Sequence, residues 1–244
     1  MTKPDFHEDE FDGGPTWLAA LLHSTDSAYP IGGFAHSGGL EGLTGTGQIN
    51  TAEELGRFME REVADTLRWI ELPLLHQAWL AAMAEDEATL VELDLLSEAV
   101  RFGAEPRQAS RRLGTQRCAL FESLHGEHLD PRAREWLTKA VQALPHKHLC
   151  IVAGLEAAVL EMPVAAAMTG LAHQTVMMVA QAALKLIRVG QKSVQGLVAR
   201  MATLYPSFIA HARALEVEEI GACMPRFDIG AAWHETAQAR MFLS

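Results

Sequence analysis

The chain has 244 residues, with 31 Asp and Glu against 20 Lys and Arg, so its net charge is −11. That balance argues against a nucleic-acid binder, which gains affinity from a dominant basic face. At 49% hydrophobic residues the chain is too apolar to be disordered. A single domain of this length buries roughly 70–75% of its unfolded surface and needs no disulfide or metal to hold it.

The first dozen residues hold five acids, so residues 1–14 are expected to be an acidic, flexible tail. Such a start is the reverse of a secretory or transit peptide. Three scattered cysteines (Cys118, Cys150, Cys223) offer no CxxC pair and fit a reducing compartment, so a cytoplasmic protein is expected. Trp17–Leu22 reads as a short apolar helix. Ser24–Gly47 is rich in glycine and unlike the rest. Thr51 followed by Glu54 is a capping box opening a helix through Phe58, Leu67 and Trp69, which Pro73 should break or kink.

Further helices are expected over Glu87–Phe102, from Pro106 to His125, and from the Asp130-Pro131 cap through Trp136 to Leu144. Others follow over 148–161, 164–189 and 192–204, then over 207–219 after an interruption at Tyr205-Pro206. Leu149–Ala172 is apolar, but Glu156, Glu161 and Pro163 make it a buried core rather than a membrane span. Strand signals are missing, and apolar residues recur at three and four positions, as in Leu197, Met201 and Leu204. The expected fold is therefore all-α: one globular helical domain over 15–220, with about ten helices around a central alanine-rich one in 157–183. A distinct C-terminal segment covers 221–244.

Three local patterns invite chemistry. Gly33 to Gly38 has P-loop spacing, but Gly39 and Leu40 stand where Lys and Ser/Thr are needed, and no G-x-G-x-x-G occurs. No nucleotide or other cofactor is expected. Ser37 in Ala-His-Ser-Gly-Gly is a variant nucleophile elbow, and with Asp228 and His234 it gives the chain order of a serine hydrolase. That alternative needs a strand entering the elbow, and Ala28–Gly33 makes a poor one. His146-x-His148-x-Cys150 carries nickel- or zinc-type ligands, the basis of a second alternative, a stand-alone nickel-binding module. Alternate residues splay apart on a helix, however, so core histidines are the default expectation. Arg107, Arg111, Arg112 and Arg117 share a helix, as a solvated face or as a dock for an acidic partner. The last residues collect Phe227, Ile229, Trp233 and Phe242 beside Arg226, His234, Glu235 and Arg240. Terminal apolar groups of this kind either pack at home or anchor a partner.

The segment Tyr29-Pro30-Ile31-Gly32-Gly33-Phe34-Ala35-His36-Ser37-Gly38-Gly39-Leu40-Glu41 resembles the N-terminal signature of the urease accessory protein UreF family through Pro30, Gly32, Phe34, Ser37, Gly39, Leu40 and Glu41. Lys185-Leu186-Ile187 with Gly190-Gln191 and Gln195 is similar to a second family motif. Pro225, Asp228-Ile229, His234-Glu235, Arg240, Phe242 and Ser244 are similar to a third, and His148 and Gly154 fit a weaker central pattern. Arg188, beside the second motif, and Gln238, in the tail, depart from the family pattern, where relatives usually carry Pro and many carry Tyr. The resemblance implies an all-α homodimer without catalysis of its own. Such a protein joins a UreD/UreH-type scaffold and a UreG-type GTPase on apo-urease, so that nickel reaches the dinickel site. It also implies partner contacts at Phe34, Ser37, Gly39, Leu40, Glu41, Lys185 and Gln191, and in the tail at Phe227, Trp233, His234, Glu235, Arg240 and Phe242.

Overall fold

The structure, a computed structural model, describes residues 16–222 together with Ile229, Trp233, Met241 and Phe242, with the backbone alone at Thr16 and Phe34. The cysteine at 223 and the tail positions Phe227, His234, Glu235 and Arg240 lie outside the described residues. Every regular element among those described is helical, as the spacing of the apolar residues requires.

Helix α1 spans Thr16–Thr25, and α2 spans Leu40–Gly45 after a 3-10 turn at Gly33–Ala35. A long helical run follows, from α3 (Ala52–Phe58) through α4 (Ala64–Thr66) to α5 (Leu72–Met83), with π-helical turns at Met59–Val63 and Leu67–Glu71 between them. Then come α6 (Glu87–Ala99), α7 (Ala104–His125), α8 (Pro131–Ala143), α9 (Leu149–Val159), α10 (Val164–Leu186) and α11 (Gln191–Ala214).

Side-chain caps set the starts. The Thr51 hydroxyl accepts the Glu54 N–H at 3.2 Å, and the Glu54 carboxylate accepts the Thr51 N–H at 3.1 Å, completing the capping box. The Asp86 carboxylate accepts from Thr89 N–H, and Asp130 from Arg132 N–H, each satisfying a backbone donor that has no helical partner.

Helix α9 is the most enclosed element, with every residue from Cys150 to Ala158 buried. It packs most extensively on α5 and then on α7, and touches α10, α8 and α6. Gly154 makes the α5 contact possible, since a Cβ there would sit 2.6 Å from the Leu75 carbonyl oxygen and 2.9 Å from the Ala78 methyl. The alanine-rich stretch is thus shared. Its first residues close α9, and the rest lies on α10, which buries Ala167, Ala172, Ala180, Ala182 and Ala183. None of the described helices is long and apolar enough to cross a membrane.

Both prolines expected to interrupt helices lie within them. Helix α11 continues from Gln191 through Pro206 to Ala214. Pro206 and Ala202, whose carbonyl lacks its usual i+4 donor, are exposed, so water can serve that oxygen. The run through Pro73 also stays helical, with the Leu67–Glu71 π turn just before it widening the backbone. The Trp69 carbonyl, which Pro73 cannot serve, accepts the Gly221 N–H at 2.9 Å. Helix α6 stops at Ala99 and α10 at Leu186, short of the expected Phe102 and position 189.

Candidate functional site

Helix α10 carries the glycine-rich segment. The 3-10 turn and α2 both lie against it, and a Cβ at Gly38 would meet the Val179 side chain at 3.3 Å. Gly39 sits at the N-cap of α2 with φ 78°, a left-handed conformation that a side chain would strain. It turns the chain so that Leu40 and Leu43 enter the core with no exposed surface. Ser37 is also fully buried, and its hydroxyl accepts the Glu41 N–H at 3.3 Å. This sequence of turns leaves the Glu41 carboxylate at the surface in the first turn of α2.

Glu41 holds the far end of the chain. One carboxylate oxygen accepts the Met241 N–H at 2.7 Å and the other the Phe242 N–H at 3.0 Å. The Phe242 ring joins the hydrophobic core with 5% of its surface exposed. Lys185, in the last turn of α10, places Nζ 5.3 Å from the centre of that ring, within cation–π range. Glu41, Lys185 and Phe242, chosen from three separate motifs, therefore meet at one place. Ser37, Gly39 and Leu40 build the turn beneath them. Gln191 opens α11 on the exposed surface. Trp233 and Ile229 keep 41% and 46% of their surface exposed, and Met241 65%.

Beside this segment, a cleft of about 140 Å³ opens between Ile31, His36, Val179, Leu113 and Phe102, with Glu71 and Arg101 at its edge. Arg101 is buried, and its guanidinium binds Glu71 at 2.6 Å and the Ser97 carbonyl at 2.6 Å. Burial works against its charge, but Glu71 and Cys150 outweigh that and raise its pKa. His36 is pushed below the ordinary histidine value by burial and by the nearby Arg112, so it stands neutral at the cleft.

The His146–Cys150 pattern serves the fold. Asp94 is fully buried, and its carboxylate accepts the N–H groups of His146 at 2.7 Å, Lys147 at 3.0 Å and His148 at 2.9 Å, just before α9 starts. His148 Nε2 turns instead to Glu98 at 3.0 Å. Cys150 faces Ser97 and Arg101, and burial pushes its thiol up to about 12, keeping it protonated. Among the described residues, no three His, Cys, Asp or Glu side chains gather in a way that could hold a metal ion.

The arginines of α7 are not one open face. Arg107 and Arg111 both pair with Glu98, and Arg117 forms a buried pair with Glu156 at 2.6 Å, leaving Arg112 as the exposed member. The elbow geometry required by a Ser37 nucleophile is also replaced: a 3-10 turn, not a strand, precedes it. Sequence reasoning missed Asp94 and Glu98, whose i, i+4 spacing on α6 was the available signal, and it missed the Arg101–Glu71 pair.

Comparison with known proteins gives one consistent result. Residues 49–202 match the family model UreF. The urease accessory protein UreF of Chromohalobacter salexigens is 30% identical over 234 residues, covering 94% of this chain and 96% of that one. The corresponding protein of Granulibacter bethesdensis is 27% identical, with 95% of each chain covered, and that of Marinobacter nauticus is 28% identical, with 95% and 96% covered.

Proposed function

The chain belongs to the urease accessory protein UreF family, and on that premise we propose that it is an adaptor in urease maturation. It joins a UreD/UreH-type scaffold and a UreG-type GTPase on apo-urease, in the cytoplasm, as a homodimer. Nickel is the cargo of that assembly. The adaptor contributes surfaces and no bond-making step, and GTP belongs to its partner.

The observation that carries the reading is the likeness to urease accessory proteins over nearly the whole chain. The geometry is compatible with docking. The tail carries a core-seated Phe242, while Ile229 and Trp233 offer large apolar surface to solvent, and aromatic residues are preferred anchors of interfaces. We assign scaffold docking to the tail (Phe227, Trp233, His234, Glu235, Arg240, Phe242). The surface around Phe34, Ser37, Gly39, Leu40, Glu41, Lys185 and Gln191 is assigned to the dimer or the GTPase.

The test is activation of purified apo-urease with scaffold, GTPase, GTP and nickel, with and without this protein. Activation that depends on the added chain is expected, and equal activity in its absence overturns the reading. Light scattering of the isolated protein checks the dimer, where a monomer mass at every concentration rejects it.

A further inference from the structure

The tail is tied to the domain at two described points. At its start, Ile220 is buried in the core and the Gly221 N–H bonds the Trp69 carbonyl at 2.9 Å, an oxygen that Pro73, having no N–H, cannot serve. At its end, Glu41 accepts two successive backbone N–H groups, from Met241 and Phe242, and the Phe242 ring enters the core beneath the Lys185 ammonium. A carboxylate that receives two backbone donors makes charge-assisted bonds, stronger than neutral ones, and the seated ring adds apolar burial.

We infer that Glu41 and Lys185 are positioning residues that latch Phe242 to the domain, so that the tail meets its partner with Gly221 and Phe242 both fixed. The proposal deepens the docking role proposed above and rests on it. It reassigns Glu41 and Lys185 from direct partner contacts to residues that act through Phe242. Fixing Phe242 in advance reduces the conformational freedom lost on binding, so an intact latch favours affinity without touching the partner.

Hydrogen exchange on the purified full-length protein tests the latch by itself. Glu41→Ala is expected to speed exchange at the Met241 and Phe242 amides at least tenfold, on the order expected for losing a charged acceptor, and Glu41→Gln, which keeps one acceptor oxygen, to restore part of the protection. Unchanged exchange in Glu41→Ala overturns the proposal. Affinity for the purified scaffold protein then tests the indirect role in a double-mutant cycle. Glu41→Ala and Phe242→Ala are each expected to weaken binding roughly tenfold. In a chain ending at Arg240, Glu41→Ala should cause no further loss, whereas a further loss means that Glu41 acts by a route other than Phe242 and rejects the proposal. Should the unaltered protein not bind the scaffold, the docking role fails, and the exchange result alone then decides the latch.

Discussion

His148 has no exposed surface, and its Nε2 lies 3.0 Å from Glu98. Burial, helped by the nearby Arg101 charge, holds its pKa down at about 4 against an ordinary 6.5, despite the opposing pull of Asp94 and Glu98. The ring is therefore neutral at pH 7 and donates to Glu98. Because the folded pKa is depressed, the stabilisation is present above about 6.5 and is lost as pH falls towards about 4, by up to about 3 kcal/mol. Glu156 acts in the opposite sense. Burial raises its carboxyl to about 7 against the pull of Arg117, so its contribution is present at low pH and lost as pH rises through about 7. Urea midpoints of the unaltered protein and of His148→Gln, measured from pH 7.5 to 4.5, separate the two. The variant should lose the acid-side decline that His148 causes, and parallel curves would show that the ring does not titrate on unfolding. Gly154 offers a steric counterpart. Gly154→Ala drives a methyl into the Leu75 carbonyl and the Ala78 side chain, and should cost about 2–3 kcal/mol of unfolding free energy. A loss below about 0.5 kcal/mol would mean that α5 and α9 separate easily.

Among the elements, local signals were most reliable where one residue settles its own neighbourhood. Thr51, Asp86 and Asp130 all cap helices, and all three of these starts stand within a residue of where the pattern put them. Proline was read too strictly. Its cost is an unserved carbonyl, and whether that carbonyl finds another donor depends on chain more than a hundred residues away at Trp69, or on water at the exposed Ala202. The start of α9 stands within a residue of the expected position 148, but what braces the chain just before it was hidden, since the acceptor comes from α6. Asp94 is buried with three backbone donors converging on it, so Asp94→Ala strands those donors and should destabilise the protein by about 3–5 kcal/mol. Asp94→Asn, with one oxygen left to accept, should recover only part of that. Thermal unfolding of both variants checks the order, and an Asn variant as stable as the parent would contradict that role.

For the molecule as a whole, the all-helical architecture was legible because apolar periodicity reports burial directly, and the site residues were legible only as motifs. Nothing in the spacing of Glu41, Lys185 and Phe242 says that they meet, because their meeting depends on how α2, α10 and the chain end come together. That arrangement divides the aromatic residues of the tail into two kinds with different expected phenotypes. Phe242 is 5% exposed and belongs to the core, so Phe242→Ala should lower the unfolding free energy by about 2–3 kcal/mol. Trp233 is 41% exposed, so Trp233→Ala should lower the urea midpoint less than Phe242→Ala does while weakening scaffold binding by about 2 kcal/mol. Denaturation and binding measured on the same two preparations read out both numbers. If Trp233→Ala unfolds early and binds normally, the indole serves the domain rather than a partner, and the docking role proposed for the tail falls at this residue.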